Sequence, residues 1–426
     1  MSNHRSAIVI GGGQAGLSMS YCLKARGIDH LIIEKDRLGQ EWRARRWDSF
    51  CLVTPNWQCR LPGFPYSGPE PYGFMKRDDI VRYLEGYAAS FGPPLLEGVA
   101  VTSLRRGHAG GFDLATAKGD WTADRVVVAV GGYHVPVFPR IAERFPSGMT
   151  QIHSCEYRSP EALPEGAVLV VGTGQSGCQI AEDLHLAGRQ VHLCVGGAPR
   201  TARRYRGKDV VEWLEAMGYY RMPVHEHPLK ERVRAKANHY VTGREGGRDI
   251  DLRRFALEGM RLYGRLTTVT GTTLQFAPDL KQNLDQADFV SESIKTTIDK
   301  YIAAQNIVAP TEGRYTPVWE PSVEPSALDL AETKIGSVIW SVGFRADYRW
   351  IEVPVFDGHG YPSHQRGVTG VDGLYFLGLP WLYTWGSGRL SGVADDAEYL
   401  AQRIEDSPDR RSSVARPQPN ELALGS

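Results

Sequence analysis

Ala7-Ile8-Val9-Ile10-Gly11-Gly12-Gly13-Gln14-Ala15-Gly16 decides the fold, because it recurs as Val168-Leu169-Val170-Val171-Gly172-Thr173-Gly174-Gln175-Ser176-Gly177. Each copy is a short apolar run leading straight into G-x-G-x-x-G, the pattern of a buried strand, a tight glycine turn and a helix start. The first glycine makes the turn, and the second lets backbone approach a pyrophosphate. The third packs helix on strand, so that the helix N–H groups and dipole face the phosphates. One such match is weak. Two in the same strand–turn–helix context predict two dinucleotide sites in one chain.

Outward from the first copy, Leu17–Arg26 reads as a helix closed by Gly27. His30-Leu31-Ile32-Ile33-Glu34 reads as the second strand, and its acid lies 23 positions after Gly11, near the roughly 20 that puts a carboxylate on a ribose hydroxyl. This unit predicts an adenine dinucleotide with an unphosphorylated ribose. The next stretch, Gly39-Gln40-Glu41-Trp42 through Arg46-Trp47-Asp48-Ser49-Phe50 to Asn56-Trp57-Gln58, is too aromatic and polar for a plain connection. It suits a flat, partly polar ring such as isoalloxazine. A helix starts near Met75, short strands follow, and Arg125–Val130 is a buried strand ending at Gly131, where backbone can approach the flavin.

The second copy registers on the first with a constant offset of 161: Gly11, Gly13, Gln14, Gly16 and Gly27 fall on Gly172, Gly174, Gln175, Gly177 and Gly188. The informative mismatch is Glu34, which falls on Val195. Arg200, Arg203 and Arg204 follow, and losing a carboxylate while gaining guanidinium groups suits a 2′-phosphate. The prediction is NADPH, with these three arginines as its ligands. From 209 to about 330 the chain exceeds what completes a nucleotide unit. It reads as a helical insertion (Val210–Met217, Leu229–Ala237, Leu252–Arg261, Val290–Asn306) shaping the substrate cleft or a dimer contact. Ser337–Phe344 reads as the return to the first domain, followed by a strand ending at Gly378. The glycine-rich Gly386-Ser387-Gly388-Arg389-Leu390 then opens a last helix, Ala394–Ile404, and a helix N-terminus there suits an electron-rich flavin edge.

The expected architecture is therefore α/β, with two Rossmann-like dinucleotide-binding domains and the NADPH domain inserted into the FAD domain. The first part of the FAD domain takes 1–162, the NADPH domain 163–333 and the second part of the FAD domain 334–406, leaving 407–426 as a disordered tail. Basic and acidic residues balance at 49 each, which points away from nucleic acid and anionic membranes. The polar start leaves no room for a signal peptide, and no apolar run reaches the ~18 residues of a membrane span. Six cysteines without C-x-x-C or metal spacing read as reduced thiols, a cytoplasmic setting and no metal site.

With the linker His153-Ser154-Cys155-Glu156-Tyr157-Arg158 between the fingerprints, the chain resembles the class B flavin-dependent monooxygenases. His153, Tyr157 and Arg158 fit the family's linker, and an ending in Tyr rather than Trp favours its N-oxygenating branch. The resemblance implies FAD on Gly11, Gly13, Gln14, Ala15, Gly16, Glu34, Gln40, Trp42, Gly131, Gly378, Arg389 and Leu390. It implies NADPH on Gly172, Gly174, Gln175, Ser176, Gly177 and the three arginines. It carries an active-site Asn onto Asn56 and gives His153 a part near the coenzyme. Arg46–Trp57 and Thr384–Arg389 are also similar to a bacterial flavoprotein subfamily associated with nitrilase gene clusters. The implied activity is transfer of one oxygen from O2, through a flavin C4a-hydroperoxide, to a small nucleophile, an amine nitrogen foremost. Alternatives are an NADPH-dependent flavin oxidoreductase passing electrons to another acceptor, and a nucleotide-binding redox sensor. A homodimer is a further expectation.

Overall fold

The computed structural model describes residues 3–108 and 110–407. The tail expected from 407 lies, Ser407 aside, outside them. Two parallel sheets organise the molecule. In the first, Leu374–Phe376, Trp121–Val128, His4–Ile10, His30–Ile33 and Leu95–Leu96 lie side by side, every neighbouring pair parallel. A hairpin, Val101–Arg106 with Phe112–Thr116, pairs with the start of Trp121–Val128 through Phe112 and Ala123. In the second, Thr150–His153, Ile335–Trp340, Ala167–Val171, Val191–Cys194 and Arg261–Tyr263 repeat the parallel arrangement. Parallel strands need cover on both faces. Ile8, Val9, Val168, Leu169 and Val170 are accordingly fully buried.

The internal copy extends to the backbone hydrogen bonds. Gly11 N donates to Ile33 O, and Gly172 N to Cys194 O. Ala129 N donates to Ile10 O, and Ser341 N to Val171 O. Ile335–Trp340 therefore stands to the second fingerprint strand as Trp121–Val128 stands to the first. This corrects the expected boundaries. Ser337–Phe344 was predicted as the return to the first domain, yet its strand belongs to the second sheet, as does Thr150–His153. The stretches 125–131 and 337–343 occupy equivalent positions in the two copies and lie in different sheets.

The stretch 209–330 is likewise no separate insertion. It supplies the edge strand Arg261–Tyr263, a three-stranded antiparallel layer (Leu266–Thr270, Thr273–Phe276, Ala327–Asp329) and the covering helix Leu280–Ala304. That helix buries Leu280, Leu284, Ala287, Ser291, Lys295, Ile298 and Ile302, one stripe at helical spacing. Polar Ser291 and Lys295 in the stripe, and the polar flanks of Leu284, hide its first half from a hydrophobicity reading. The helix expected over Leu229–Ala237 is only a short 3-10 turn, Lys230–Ala235, entered with Lys230 at φ 47°. The helix expected to Arg261 stops at Leu257, because Arg261 is needed in the sheet. In the first unit, helices Gln14–Ala25 and Val393–Glu405 pack together across one shared core with Arg77–Phe91.

Candidate functional site

Both glycine loops have the geometry a dinucleotide needs. Gly11 and Gly172 take φ of 111° and 104°, where side chains are strained. A Cβ on Gly16 would lie 1.8 Å from Gly11 O, and one on Gly177 would lie 2.0 Å from Gly172 O. These glycines are therefore steric necessities of the strand–helix turn. Gly13 and Gly174 differ: no protein atom lies within 4 Å of a Cβ placed there. The same holds for Gly131 and Gly343 in the loops opposite. Each copy thus keeps an open cradle at the start of a helix, which fits a diphosphate.

The copies part at one coupled pair of positions. Glu34 accepts from Gly12 N at 2.5 Å and from Asp36 N at 2.9 Å, so its carboxylate stands fixed at the strand end beside the loop. A Cβ on Gly12 would come within 3.0–3.2 Å of that side chain. In the second copy Gly12 becomes Thr173 and Glu34 becomes Val195. The Thr173 hydroxyl fills the position and accepts from Gly196 N at 2.9 Å. Thr173 was not singled out in the sequence, although its offset from Gly12 was there to be read.

Gln14 ties the walls of the first site together. Its Oε1 accepts from Trp42 Nε1 at 3.2 Å and its Nε2 donates to Gly388 O at 3.4 Å. Gln40 opens the short helix that carries Trp42. Gly378, at φ 81°, leaves room for Ala15, since a Cβ there would meet the Ala15 Cβ at 2.6 Å. Leu390 is buried and its carbonyl accepts from Arg60 N. Asn56 has a structural engagement: its carboxamide donates to Glu70 O and accepts from Met75 N at 2.7 Å, bracing the loop. Two positions on, Gln58 is buried with neither end of its carboxamide hydrogen-bonded. A flat ring with polar edges would have a use for such a group, which ends the aromatic and polar stretch read as suiting one.

Two histidines hold the loops that face these cradles. His153 accepts from Cys155 N at its Nδ1, and its Nε2 donates to Gly343 O at 3.0 Å. Burial lowers its pKa, consistent with a neutral ring. His134, missed in the sequence, does the same for the first unit: Nδ1 accepts from Asp347 N and Nε2 donates to Gly131 O. Asp183, also missed, sits on the helix after the second loop. It accepts from Ser49, Tyr157 and Arg244 at 2.5–2.7 Å, joining linker, first-unit loop and second unit.

The three arginines expected on a 2′-phosphate separate. Arg200 is buried against Asp288 at 2.6 Å and stacks on Tyr315, and Arg203 is buried against Asp209 and Val53 O and stacks on Phe74. Both guanidinium groups are paired with internal acids, while Arg200 Nη2 and Arg203 Nε stay buried without a hydrogen bond. Only Arg204 of the three is exposed. Gln175 Nε2 donates to Val241 O, and Ser176 is half-buried beside it.

Part of the extra sequence closes over the first site. Val224 N donates to Tyr383 O at 2.7 Å, Arg234 to Trp381 O, and Tyr220 packs on Trp385 with ring centroids 4.5 Å apart. This contact ties the 209–330 stretch to the first unit. All six cysteines are buried and unpaired. Burial pushes the Cys51 thiol up to about 11 and Cys59 to about 12, opposite to what a thiol nucleophile requires. No helix of the described residues is long and apolar enough to cross a membrane.

Comparison with known proteins agrees with this geometry. The chain is 34% identical over 401 residues to an uncharacterized CzcO-like oxidoreductase of Geobacillus kaustophilus, covering 93% of this chain and 97% of that one. It is 33% identical over 196 residues to an indole-3-pyruvate monooxygenase of Oryza sativa, covering 44% and 47%. A flavin-containing monooxygenase from Stenotrophomonas maltophilia shares the fold, with a TM-score of 0.65 at 19% identity over 95% and 99% of the chains. The family model for pyridine nucleotide-disulphide oxidoreductases matches residues 8–252, both glycine loops included, and the chain belongs to that family of oxidoreductases.

Proposed function

We propose that the chain is an FAD- and NADPH-dependent monooxygenase that puts one oxygen atom of O2 on a small nucleophilic substrate, foremost an amine nitrogen. The observation that carries the reading is the pair of open glycine cradles, one with a fixed acid at its ribose position and one without. FAD fits the first, with Glu34 toward its ribose. NADPH fits the second, with Arg204 the exposed cation for its 2′-phosphate. Bound FAD would supply the electron path from NADPH to O2 and the oxygen transfer. The chain's own part is to hold the two nucleotides, keep His153 and His134 on the facing loops, and exclude water with the 219–238 wall. In balance, substrate, O2, NADPH and one proton give oxygenated substrate, water and NADP⁺. A thiol–disulfide reaction is disfavoured by the raised pKa values of Cys51 and Cys59. The likeness to an indole-3-pyruvate monooxygenase supports oxygen transfer, and the six unpaired thiols fit a cytoplasmic setting.

The test is turnover of the FAD-loaded enzyme with NADPH under ¹⁸O2, using amines, sulfides and ketones. One labelled oxygen in the product, with NADPH consumed one for one, is the expected result. Quantitative hydrogen peroxide release with every substrate would overturn the reading in favour of plain electron transfer. Flavin that NADPH does not reduce would favour a sensor.

A further inference from the structure

The chain crosses between the two sheets twice, and the two crossings are paired. Val135–Pro136, on the way out of the first sheet, runs antiparallel to Phe344–Arg345, on the way back. Beside them Val137 N donates to Gly343 O at 3.1 Å, and Asp347 N donates to His134 Nδ1 at 2.9 Å. A two-stranded ribbon between two units has the form of a hinge, and joined domains turn about one unless something holds them.

What holds them here is a ring. Phe74 of the first unit lies along the 243–247 loop of the second. A Cβ on Gly243 would stand 2.6 Å from Phe74 Cγ and 2.1 Å from Leu52 O. A Cβ on Gly247 would stand 2.7 Å from Phe74 Cε2 and 2.8 Å from Arg203 Cδ. The two glycines thus make a slot that the ring fills from end to end, and a side chain at either would expel it. Arg203 closes the slot, with its guanidinium 4.8 Å from the ring centre and its Nη1 donating to Val53 O at 2.7 Å. On the first-unit side, Leu52 N donates to Met75 O, and both residues are buried in the first core. On the second-unit side, Gln175 at the coenzyme cradle donates to Val241 O at 2.6 Å, two residues before Gly243. Polar ties across the same boundary, such as Arg60 with Glu215 at 3.2 Å, exchange for water at little cost. A ring in a fitted slot has no such substitute, and turning the units requires it to leave whole.

We propose that Phe74 pins the coenzyme-binding unit to the flavin-binding unit, so that NADPH reduces the flavin with the two units held in one orientation. Phe74 is then a positioning residue, and the ribbon at 135–136 and 344–345 is a hinge that does not turn. The functional half of this rests on the reading of the cradles as FAD and NADPH sites. The hold itself is a property of the chain, with or without turnover.

The test is the distance between two spin labels in the FAD-loaded enzyme, at Arg105→Cys on the first unit and Phe289→Cys on the second, both exposed positions. The six native cysteines are buried and escape the label. One narrow distance, the same in the oxidised enzyme, after dithionite reduction and with NADP⁺ added, is the expected result. A second distance in any of these states, or a shift between them, overturns the proposal. Phe74→Ala empties the slot and Gly247→Ala blocks it from the other side. Each should add a second distance and slow flavin reduction at saturating NADPH roughly tenfold, with dithionite reduction unchanged, because the productive orientation is then only partly populated. A folded Phe74→Ala enzyme that keeps the single distance also overturns the proposal, by giving the hold to other contacts. The comparison of oxidised, reduced and NADP⁺-bound states needs neither slot variant, so a misfolded one leaves the proposal exposed to test. Flavin that NADPH leaves oxidised, with one fixed distance, sinks only the NADPH reading. Reduction by NADPH with a moving distance sinks only the pin.

Discussion

At the scale of single residues, the two nucleotide sites differ by a trade between Gly12–Glu34 and Thr173–Val195. Glu34 is held by two backbone donors, so its removal loses a charge-assisted contact worth about 1.5–3 kcal/mol. Glu34→Ala should weaken FAD retention by roughly 10- to 100-fold, read as the flavin dissociation constant. An unchanged constant would remove Glu34 from the ribose. Arg204→Ala should raise the KM for NADPH about tenfold and leave that for NADH alone. Arg200→Ala should behave as a folding mutant, because stripping one partner from a buried ion pair costs about 3–5 kcal/mol. Its denaturation midpoint, not its coenzyme preference, is where the change should be seen. The arginine run shows how far sequence reaches: it announces charge at the right chain position. It cannot say that Asp288 and Asp209, tens of residues away or folded back from a hairpin, already hold two of the three.

Among elements, those that repeat were the most legible. The glycine loops, their helices and the strands on either side follow from periodicity and an offset of 161. What was misread is what long-range pairing decides. Ile335–Trp340 looks like any buried strand, and only its pairing with Ala167–Val171 and Thr150–His153 assigns it to the second sheet. Asp183 went unnoticed for the same reason, since Ser49, Tyr157 and Arg244 come from three separate segments. Asp183→Ala would leave Arg244 and the buried Tyr157 hydroxyl without their acceptor. A stability loss of about 3–5 kcal/mol is expected from chemical denaturation, together with slower flavin reduction by NADPH as the joint between the units loosens. Wild-type stability in this variant would show the joint to be incidental.

For the whole molecule, three histidines, buried His192 and half-buried His239 and His364, bear on the acid limit. Burial lowers His192, His239 and His364 to about 4. In the unfolded chain they titrate near 6.5, so between those values the unfolded state binds more protons. Stability from these groups is fully present above about pH 6.5 and falls as the pH drops toward 4. The thermal midpoint should therefore decline by several degrees from about pH 7.5 to about pH 5. A flat profile would contradict the neutral burial of these rings.

The nesting of one sheet inside the other also has a consequence for how the chain is made. Val126–Val128 receives its outer neighbour only when Leu374–Phe376 arrives, about 250 positions later, which at ordinary synthesis rates is some tens of seconds. The hairpin from 101 to 116 covers the same strand only as far as Ala123. During that interval the nascent polypeptide presents a bare, wholly apolar strand edge, and from Trp340 onward it does so beside a second sheet that is already complete. Translation stopped between about 345 and 370 should accordingly yield an insoluble product that depends on chaperones, even though every residue of the coenzyme-binding sheet has been delivered.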